Sequence, residues 1–233
     1  MIKNTINILL VALILSGCAS TVKPVSKQAI ENKTFVLVPT GQINYEVVSN
    51  RGGAAFGLVG ALIEAAVTQS SSDVTKEKLR TAVPPEFLLQ IATNQIEADL
   101  KKYGNYKLIV AKQHTLKDMS YSDWSKNTKR EDLKGNPDIN GDIIVDVGVT
   151  NVTLIKGFQT TANLWVSLRM INRETGEVHG EVRDYFRSDS VGINVDFDED
   201  SPAYASQIKG AFEQLVKDSV NKSLSYLFFN KPT

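Results

Sequence analysis

The sequence predicts an α+β domain, in which amphipathic helices pack on one face of a mixed, mostly antiparallel sheet. Three observations lead to this class. Alternating apolar residues between 142 and 187 predict three consecutive strands, two segments at 84–103 and 201–229 have helical periodicity, and short apolar strands occur earlier in the chain. Because each helical segment carries a single apolar stripe, both are expected to cover the same side of the sheet.

The first predicted strands are short and lie near the start of the domain. The run Thr34-Phe-Val-Leu-Val-Pro39 predicts a buried strand, and 43–48 predicts a second one. Pro84-Pro85 then opens a helix that is predicted to reach Tyr103, because proline is tolerated in a first helical turn. A third strand is expected over 106–111. The apolar face of the helix consists of Leu88, Ile91, Ala92, Ile96 and Leu100.

The three-strand meander is the strongest pattern in the chain. Its first strand, 142–155, changes the parity of its apolar residues near Asn151, which predicts a β-bulge there. The second strand covers 160–171. The segment Asn172-Arg-Glu-Thr-Gly176 predicts a hairpin turn with Gly176 at positive φ, and the third strand returns over 177–187. The last helix then buries a stripe made of Ile208, Ala211, Phe212, Leu215, Ser219, Val220, Leu224 and Leu227.

The N-terminal residues have the pattern of an export signal. Lys3 supplies a positive charge, residues 6–15 are apolar except for Asn7, and Leu15-Ser16-Gly17-Cys18 follows. The apolar run is shorter than the roughly 20 residues that a membrane-spanning helix needs. Cys18 is also the only cysteine, so the chain cannot form an internal disulfide.

This stretch resembles the lipobox of bacterial lipoproteins, which ends in Leu-(Ser/Ala)-(Gly/Ala)-Cys. The resemblance implies that residues 1–17 are a signal peptide, that the thiol of Cys18 is alkylated with diacylglycerol, and that its new amine is acylated. Several acyl chains give stable anchoring where one chain does not. In that family, Ala19 rather than aspartate after the cysteine implies the outer membrane. The expected localisation is therefore the bacterial cell envelope, lipid-anchored and facing the periplasm.

Length and charge are consistent with one domain on a short anchor. Residues 18–33 are expected to form the lipidated N-terminus and a polar tether, and 34–233 a single periplasmic-type domain. The chain has 26 basic and 26 acidic residues; loss of Lys3 with the signal leaves 26 − 1 = 25 against 26, a net charge of −1. A near-neutral surface argues against a nucleic-acid partner.

A second resemblance lies in the last third of the chain. The residues Leu164-Trp-Val-Ser-Leu-Arg-Met-Ile-Asn-Arg-Glu-Thr-Gly-Glu-Val178 are similar to the strand–turn–strand of periplasmic domains in lipoproteins related to the curli secretion channel. Those domains also end in an amphipathic helix. The resemblance implies a shared globular fold. It does not imply a pore, because this chain lacks a pair of amphipathic membrane hairpins.

The glycine-rich segment 51–67 is the most unusual part of the mature chain. Small residues recur every four positions at Gly53, Gly57, Ala61 and Ala65, with Phe56 beside them. On a helix this spacing forms a ridge where another backbone can approach closely. Three interpretations remain open: a core helix, contact with a membrane or an envelope protein partner, and self-association. A phosphate-binding loop is excluded because no Lys-Ser/Thr follows the glycines.

Other polar residues favour structural roles over metal binding or catalysis. The segment 138–142 has the alternating oxygens of a calcium loop but lacks its terminal glutamate, so a turn is favoured. The acidic segment 196–200 precedes the last helix, where its carboxylates favour the positive end of the helix dipole; cation binding is the alternative. His114 and His179 have no metal-binding residues at a suitable spacing, and His179 is expected to face solvent. We predict no catalytic residues, no metal site and no cofactor.

The sequence therefore predicts a non-enzymatic lipoprotein that acts as an accessory or assembly subunit of the envelope. Two alternatives remain: an envelope enzyme of unrecognised type, because catalytic triads assemble from distant residues, and a periplasmic module that binds a small ligand or cation.

Overall fold

The computed structural model describes residues 21–40, 43–49, 73–103, 107–110, 134–135, 137, 139–156, 160–188 and 202–228. Within these ranges the strands are β1 (Thr21–Lys23), β2 (Thr34–Thr40), β3 (Tyr45–Ser49), β4 (Lys107–Val110), β5 (Ile143–Lys156), β6 (Thr161–Asn172) and β7 (Val178–Arg187). The helices are α1 (Lys27–Ile30), α2 (Asp73–Ala82), α3 (Pro85–Leu100) and α4 (Tyr204–Phe228).

The strands form one mixed sheet in the order β1-β7-β6-β5-β2-β4, with β3 also paired to β5. The long pairings β5–β6 and β6–β7 are antiparallel, as is β1–β7. The shorter pairings of β2 with β4, β2 with β5 and β3 with β5 are parallel. The predicted class, a mixed and mostly antiparallel α+β sheet with helices against it, is confirmed.

Helices α2, α3 and α4 share one hydrophobic core with one face of the sheet. Every residue of the two predicted helical stripes is buried. Alternation along β5 and β6 directs Val145, Val147, Leu164 and Leu168 toward the helices, and all four side chains are fully buried. A smaller cluster on the opposite face joins β2, β5 and β6 around Val36, Ile144 and Ile171.

The predicted bulge lies in β5 at Asn151, which has a φ of 49°. The pairing with β6 shifts between Thr150 and Thr153. The backbone N–H of Val152 donates to Asn44 O at 2.8 Å, just before β3 begins. Because the extra residue reverses the parity of the strand, Val152 and Leu154 still reach the core. Beyond the bulge, β3 replaces β2 as the parallel partner of β5.

The turn between β6 and β7 is built by Asn172. Its side-chain Oδ1 accepts the backbone N–H groups of Glu174 and Thr175 at 2.9 and 3.1 Å. Gly176 closes the turn through its own N–H to Asn172 O at 2.8 Å and has a φ of 72°. The predicted positive φ at Gly176 is therefore confirmed, and only glycine adopts it at low cost.

The range 18–33, predicted to be a tether, contains two elements of the fold. Strand β1 pairs with β7, and Ile30 in α1 is 1% exposed within the core. The N–H of Val25 donates to Leu227 O at 2.9 Å, which ties this range to the end of α4. From Thr21 onward the chain is thus part of the domain, which corrects the extent of the predicted tether.

Candidate functional site

The residues predicted to contact lipid or a partner lie outside the described residues. These are Cys18, Gly53, Phe56, Gly57, Ala61 and Ala65. His114 and the acidic segment 196–200 also lie outside them, as does Asp138. The lipidation site and the glycine-rich segment therefore keep the status of sequence predictions.

Two other candidates from the sequence, Asp142 and His179, lie within the described residues. Asp142 Oδ2 accepts the N–H of Thr34 at 2.8 Å, while its own N–H donates to Thr34 O at 2.9 Å. This carboxylate joins the starts of β2 and β5. His179 is half-buried on β7. The described residues contain no group of three or more His, Cys, Asp or Glu side chains placed to hold a metal ion.

The face of the sheet opposite α2, α3 and α4 carries a different chemistry from the core. We call it the polar face and define it by the off-core residues of β5, β6 and β7. Several of these polar side chains are almost fully buried, which is rare for charged groups unless they are paired. The set comprises Asp146, Asn163, Trp165, Ser167, Arg169, Glu181, Arg183 and Tyr185.

A row of alternating charges crosses the polar face. The strand registers align Asp146, Arg169, Glu181 and Lys23 on β5, β6, β7 and β1. Arg169 Nη2 and Nε donate to Glu181 Oε1 at 2.9 and 3.1 Å. Arg169 is 1% exposed and Asp146 is 0% exposed. Opposite charges on directly facing residues stabilise this register.

An aromatic–arginine cluster lies beside this row. The rings of Trp165 and Tyr185 face each other across β6 and β7, with centroids 5.2 Å apart and planes tilted by 45°. The guanidinium carbon of Arg183 lies 4.4 Å from the centroid of the Trp165 ring, within cation–π distance. Burial lowers the pKa of Arg183. Tyr185 is 37% exposed, so the cluster reaches the surface at the β7 edge.

Asn163 is the least satisfied polar group of this face. Its side chain is 0% exposed, and within the described part of the chain neither Nδ2 nor Oδ1 has a hydrogen-bond partner. It faces Thr153 on β5 and Arg187 on β7, two positions before Trp165 on the same strand. A buried amide without partners is costly.

The β1–β7 edge of the sheet concentrates the exposed apolar side chains. Among the described residues, the large hydrophobic side chains classed as exposed are Val22 at 43%, Tyr185 at 37% and Tyr226 at 37%. Val22 is on β1 and Tyr185 on β7. Tyr226 is near the end of α4, where Lys222 Nζ lies 5.5 Å from the Phe186 ring and 5.7 Å from the Tyr226 ring. Val22 faces the same side of the sheet as Val182 and the helices, whereas Tyr185 lies on the polar face. We call these three side chains, which border the β1–β7 edge from both sides of the sheet, the edge patch.

Sequence reasoning did not select the polar face or the edge patch. The alternation that predicts β6 and β7 also puts Trp165, Arg169 and Arg183 on the side away from the helices. Periodicity alone treats such positions as solvent-facing, so it gives no sign that Arg169 is buried. Four polar or aromatic residues in one parity of 163–169 would be the available signal.

Comparison with known proteins gives a remote structural likeness only. No protein-family model and no curated protein sequence matches the chain. Among solved structures, the chain is similar to a PelC dodecamer from Paraburkholderia phytofirmans, with a TM-score of 0.40, 10% identity, and coverage of 90% of this chain and 96% of that chain. A single-residue variant of the same dodecamer gives a TM-score of 0.40 and 10% identity, with coverage of 90% of this chain and 98% of that chain.

A third structure, the hypothetical protein CT253 from Chlamydia trachomatis, gives a TM-score of 0.37, 11% identity, and coverage of 84% of this chain and 99% of that chain. Likeness at this level identifies neither a family nor a function. Among the described helices, none is both long enough and apolar enough to span a bilayer.

Proposed function

We propose that this protein is a lipoprotein of the bacterial envelope, anchored through lipid on Cys18. The observation that carries the proposal is the sequence Leu15-Ser16-Gly17-Cys18 after an apolar run. The first strand of the domain, β1, begins at Thr21, three residues after Cys18. A diacylglyceryl cysteine with a third acyl chain would hold the domain stably on a membrane.

Within the envelope, the protein acts as a non-enzymatic accessory or assembly subunit. Its location is the outer membrane, facing the periplasm, since Ala19 follows the lipidated cysteine. The guanidinium of Arg169 is bonded to Glu181 within a cross-strand row of charges, which is a structural use of these buried groups. The envelope partner binds through the ridge of the segment 51–67.

Replacement of the cysteine tests the anchor. Cys18→Ser should abolish incorporation of labelled palmitate and leave the precursor largely uncleaved, because the substitution removes the sulfur that receives diacylglycerol. Cells are labelled with palmitate, and the membrane and soluble fractions are compared with those of the wild type. Normal cleavage of Cys18→Ser, with the product still in the membrane pellet, would show that this protein is not a lipoprotein.

The partner ridge has its own test with a matched control. On the predicted helix, with 3.6 residues per turn, Gly57→Leu would place a large side chain on the ridge and Ala55→Leu would place the same side chain on the opposite side. Crosslinking in intact cells, followed by purification from detergent-solubilised membranes, should show loss of the crosslinked complex only for Gly57→Leu. Equal complexes in both variants, or equal loss, would contradict a partner site on this ridge.

A further inference from the structure

The start of β1 fixes how far the folded domain can lie from the anchor. Only Ala19 and Ser20 separate Cys18 from Thr21, the first residue of β1. Three residue steps span at most about 11 Å, whatever conformation they take. Thr21 is paired with Arg183 on β7. A lipid carried by Cys18 would therefore be tied to the chain within that distance of Thr21, at the β1–β7 edge and not at the opposite edge formed by β4.

We propose that the β1–β7 edge is the surface by which the domain lies on the lipid bilayer. This inference rests on lipidation of Cys18 and adds the orientation of the domain and the residues in contact with the membrane. The bound surface is the headgroup region of a bilayer. Its contacts are the edge patch (Val22, Tyr185 and Tyr226) together with the neighbouring arginine and lysine side chains.

The chemistry of the edge suits a membrane interface. Tyrosine and tryptophan prefer the headgroup region, since each combines an apolar ring with a polar group. Tyr185 is partly exposed and contacts Trp165, and Tyr226 is exposed at the end of α4. Lys23, Lys27 and Arg187 are exposed on or next to the same edge, where they favour anionic headgroups.

The two acidic residues of β7 near this edge already have partners. Glu181 is held by Arg169, and the carboxylate of Asp184 accepts the N–H of Tyr185 at 2.9 Å. The second contact gives a partner to the backbone N–H of Tyr185, which lies beyond residues 181–183, the part of β7 that pairs with β1. Strand edges need such partners or water, because an unpaired backbone group is not tolerated in hydrocarbon. The edge therefore lies among hydrated headgroups and does not enter the acyl chains.

The attachment is stiff enough to select one orientation. Three backbone pairs join β1 to β7, Lys23 Nζ donates to Val178 O at 2.5 Å, and Val25 N–H donates to Leu227 O at 2.9 Å. These contacts leave only residues 19 and 20 between the lipid and the sheet. A long tether would let the domain tumble freely, whereas this connection keeps the same edge next to the membrane.

Fluorescence quenching by spin-labelled lipid tests the orientation on the full lipidated protein. Cysteine is introduced singly by Val22→Cys, Tyr226→Cys or, as the control, Lys33→Cys. Lys33 is exposed and directly precedes β2, four strands from β1. In the lipidated protein the sulfur of Cys18 is a thioether, so bimane labels only the introduced thiol. The proteins are placed in vesicles of phosphatidylethanolamine and phosphatidylglycerol that contain nitroxide-headgroup lipid.

We expect bimane at positions 22 and 226 to lose most of its fluorescence, and bimane at position 33 to lose little. Insertion of about twelve Gly-Ser residues between Ser20 and Thr21, long enough to behave as a flexible chain, should abolish that contrast. Each variant must have the melting temperature of the wild type. We expect this because the three replaced side chains are all exposed.

The outcomes separate the two proposals. Bimane labelling of the protein without added cysteine would reveal a free Cys18 thiol, and both the lipoprotein assignment and the orientation would then be wrong. If Cys18 is blocked by lipid but quenching is equal at positions 22, 226 and 33, the lipoprotein assignment stands and the orientation is overturned. Quenching confined to position 33 would place the opposite edge on the membrane and would overturn the orientation as well.

Discussion

At the scale of single residues, Arg169 and Glu181 show what a buried ion pair does in this sheet. Arg169 is almost completely buried, and the side chain of Glu181 is 19% exposed. Removing one partner of such a pair leaves a desolvated charge, which costs more than the pair contributes. Asp146 lies on the other side of Arg169, so the arginine is the central cation of the row.

Glu181→Ala is therefore expected to destabilise the domain by about 3 kcal/mol, because it leaves a buried guanidinium without its main carboxylate. Glu213→Ala is the matched control, since it removes the exposed pair of Glu213 with Lys217, in which both side chains are 42% exposed. That loss should stay below about 0.5 kcal/mol. Urea denaturation measures both values. Similar losses in the two variants would contradict a structural role specific to the buried pair.

At the scale of elements, the junction of β1, β7 and α4 depends on a glycine. A Cβ added to Gly180 would lie 2.9 Å from Leu227 Cδ1 and 2.9 Å from Val25 Cβ. Gly210, by contrast, is an exposed residue of α4 with nothing within 4 Å of such a Cβ. The absence of a side chain at Gly180 thus lets β7, α4 and the N-terminal segment approach one another.

Gly180→Ala should lower the free energy of unfolding by roughly 1–3 kcal/mol, because the added methyl group overpacks this junction. Gly210→Ala should raise it by about 0.5–1 kcal/mol, since alanine favours the helix and no atom obstructs it. Denaturation curves of the two variants give both signs. A gain in stability for Gly180→Ala would mean that the three elements do not pack this closely.

The elements predicted from the sequence are those whose signals are local. The turn at Asn172–Gly176, the bulge at Asn151 and the two helical stripes each follow from residues within one short window. Strand β1 and helix α1 have no such signal, because they are short and polar and depend on partners far along the chain. Helix α2 (Asp73–Ala82) is also absent from the elements predicted from the sequence.

At the scale of the whole molecule, the N-terminal segment is part of what keeps the domain folded. A chain that begins at Lys33 lacks β1, α1 and the buried Ile30 side chain. Burial of one isoleucine alone contributes about 1.5–3 kcal/mol, and the loss of β1 also leaves the edge of β7 unpaired.

The shortened chain is therefore expected to be at least about 2 kcal/mol less stable than one that begins at Ala19, and more prone to self-association. Thermal melts and size-exclusion chromatography compare the two proteins. Equal stability and equal elution would show that residues 19–32 are a tether after all.

The candidate sites also differ in whether their residues are close together or far apart in the sequence. Cys18 can be proposed from the sequence alone because the pattern Leu15-Ser16-Gly17-Cys18 is contiguous. The polar face and the edge patch are not, because they form only when β1, β5, β6, β7 and α4 are brought together. Tyr185 and Tyr226, for example, are 41 positions apart by number (226 − 185), and neither carries a motif.

The pairing of β1 with β7 also determines when, during synthesis and folding, β1 can join the sheet. The hydrogen bond from Lys23 to Val178 joins residues 155 positions apart, and closing so long a loop is slow. Residues near the N-terminus are synthesised first, yet their partners on β7 and α4 are among the last to be made. The segment beside Cys18 thus stays unpaired until almost the whole chain is available.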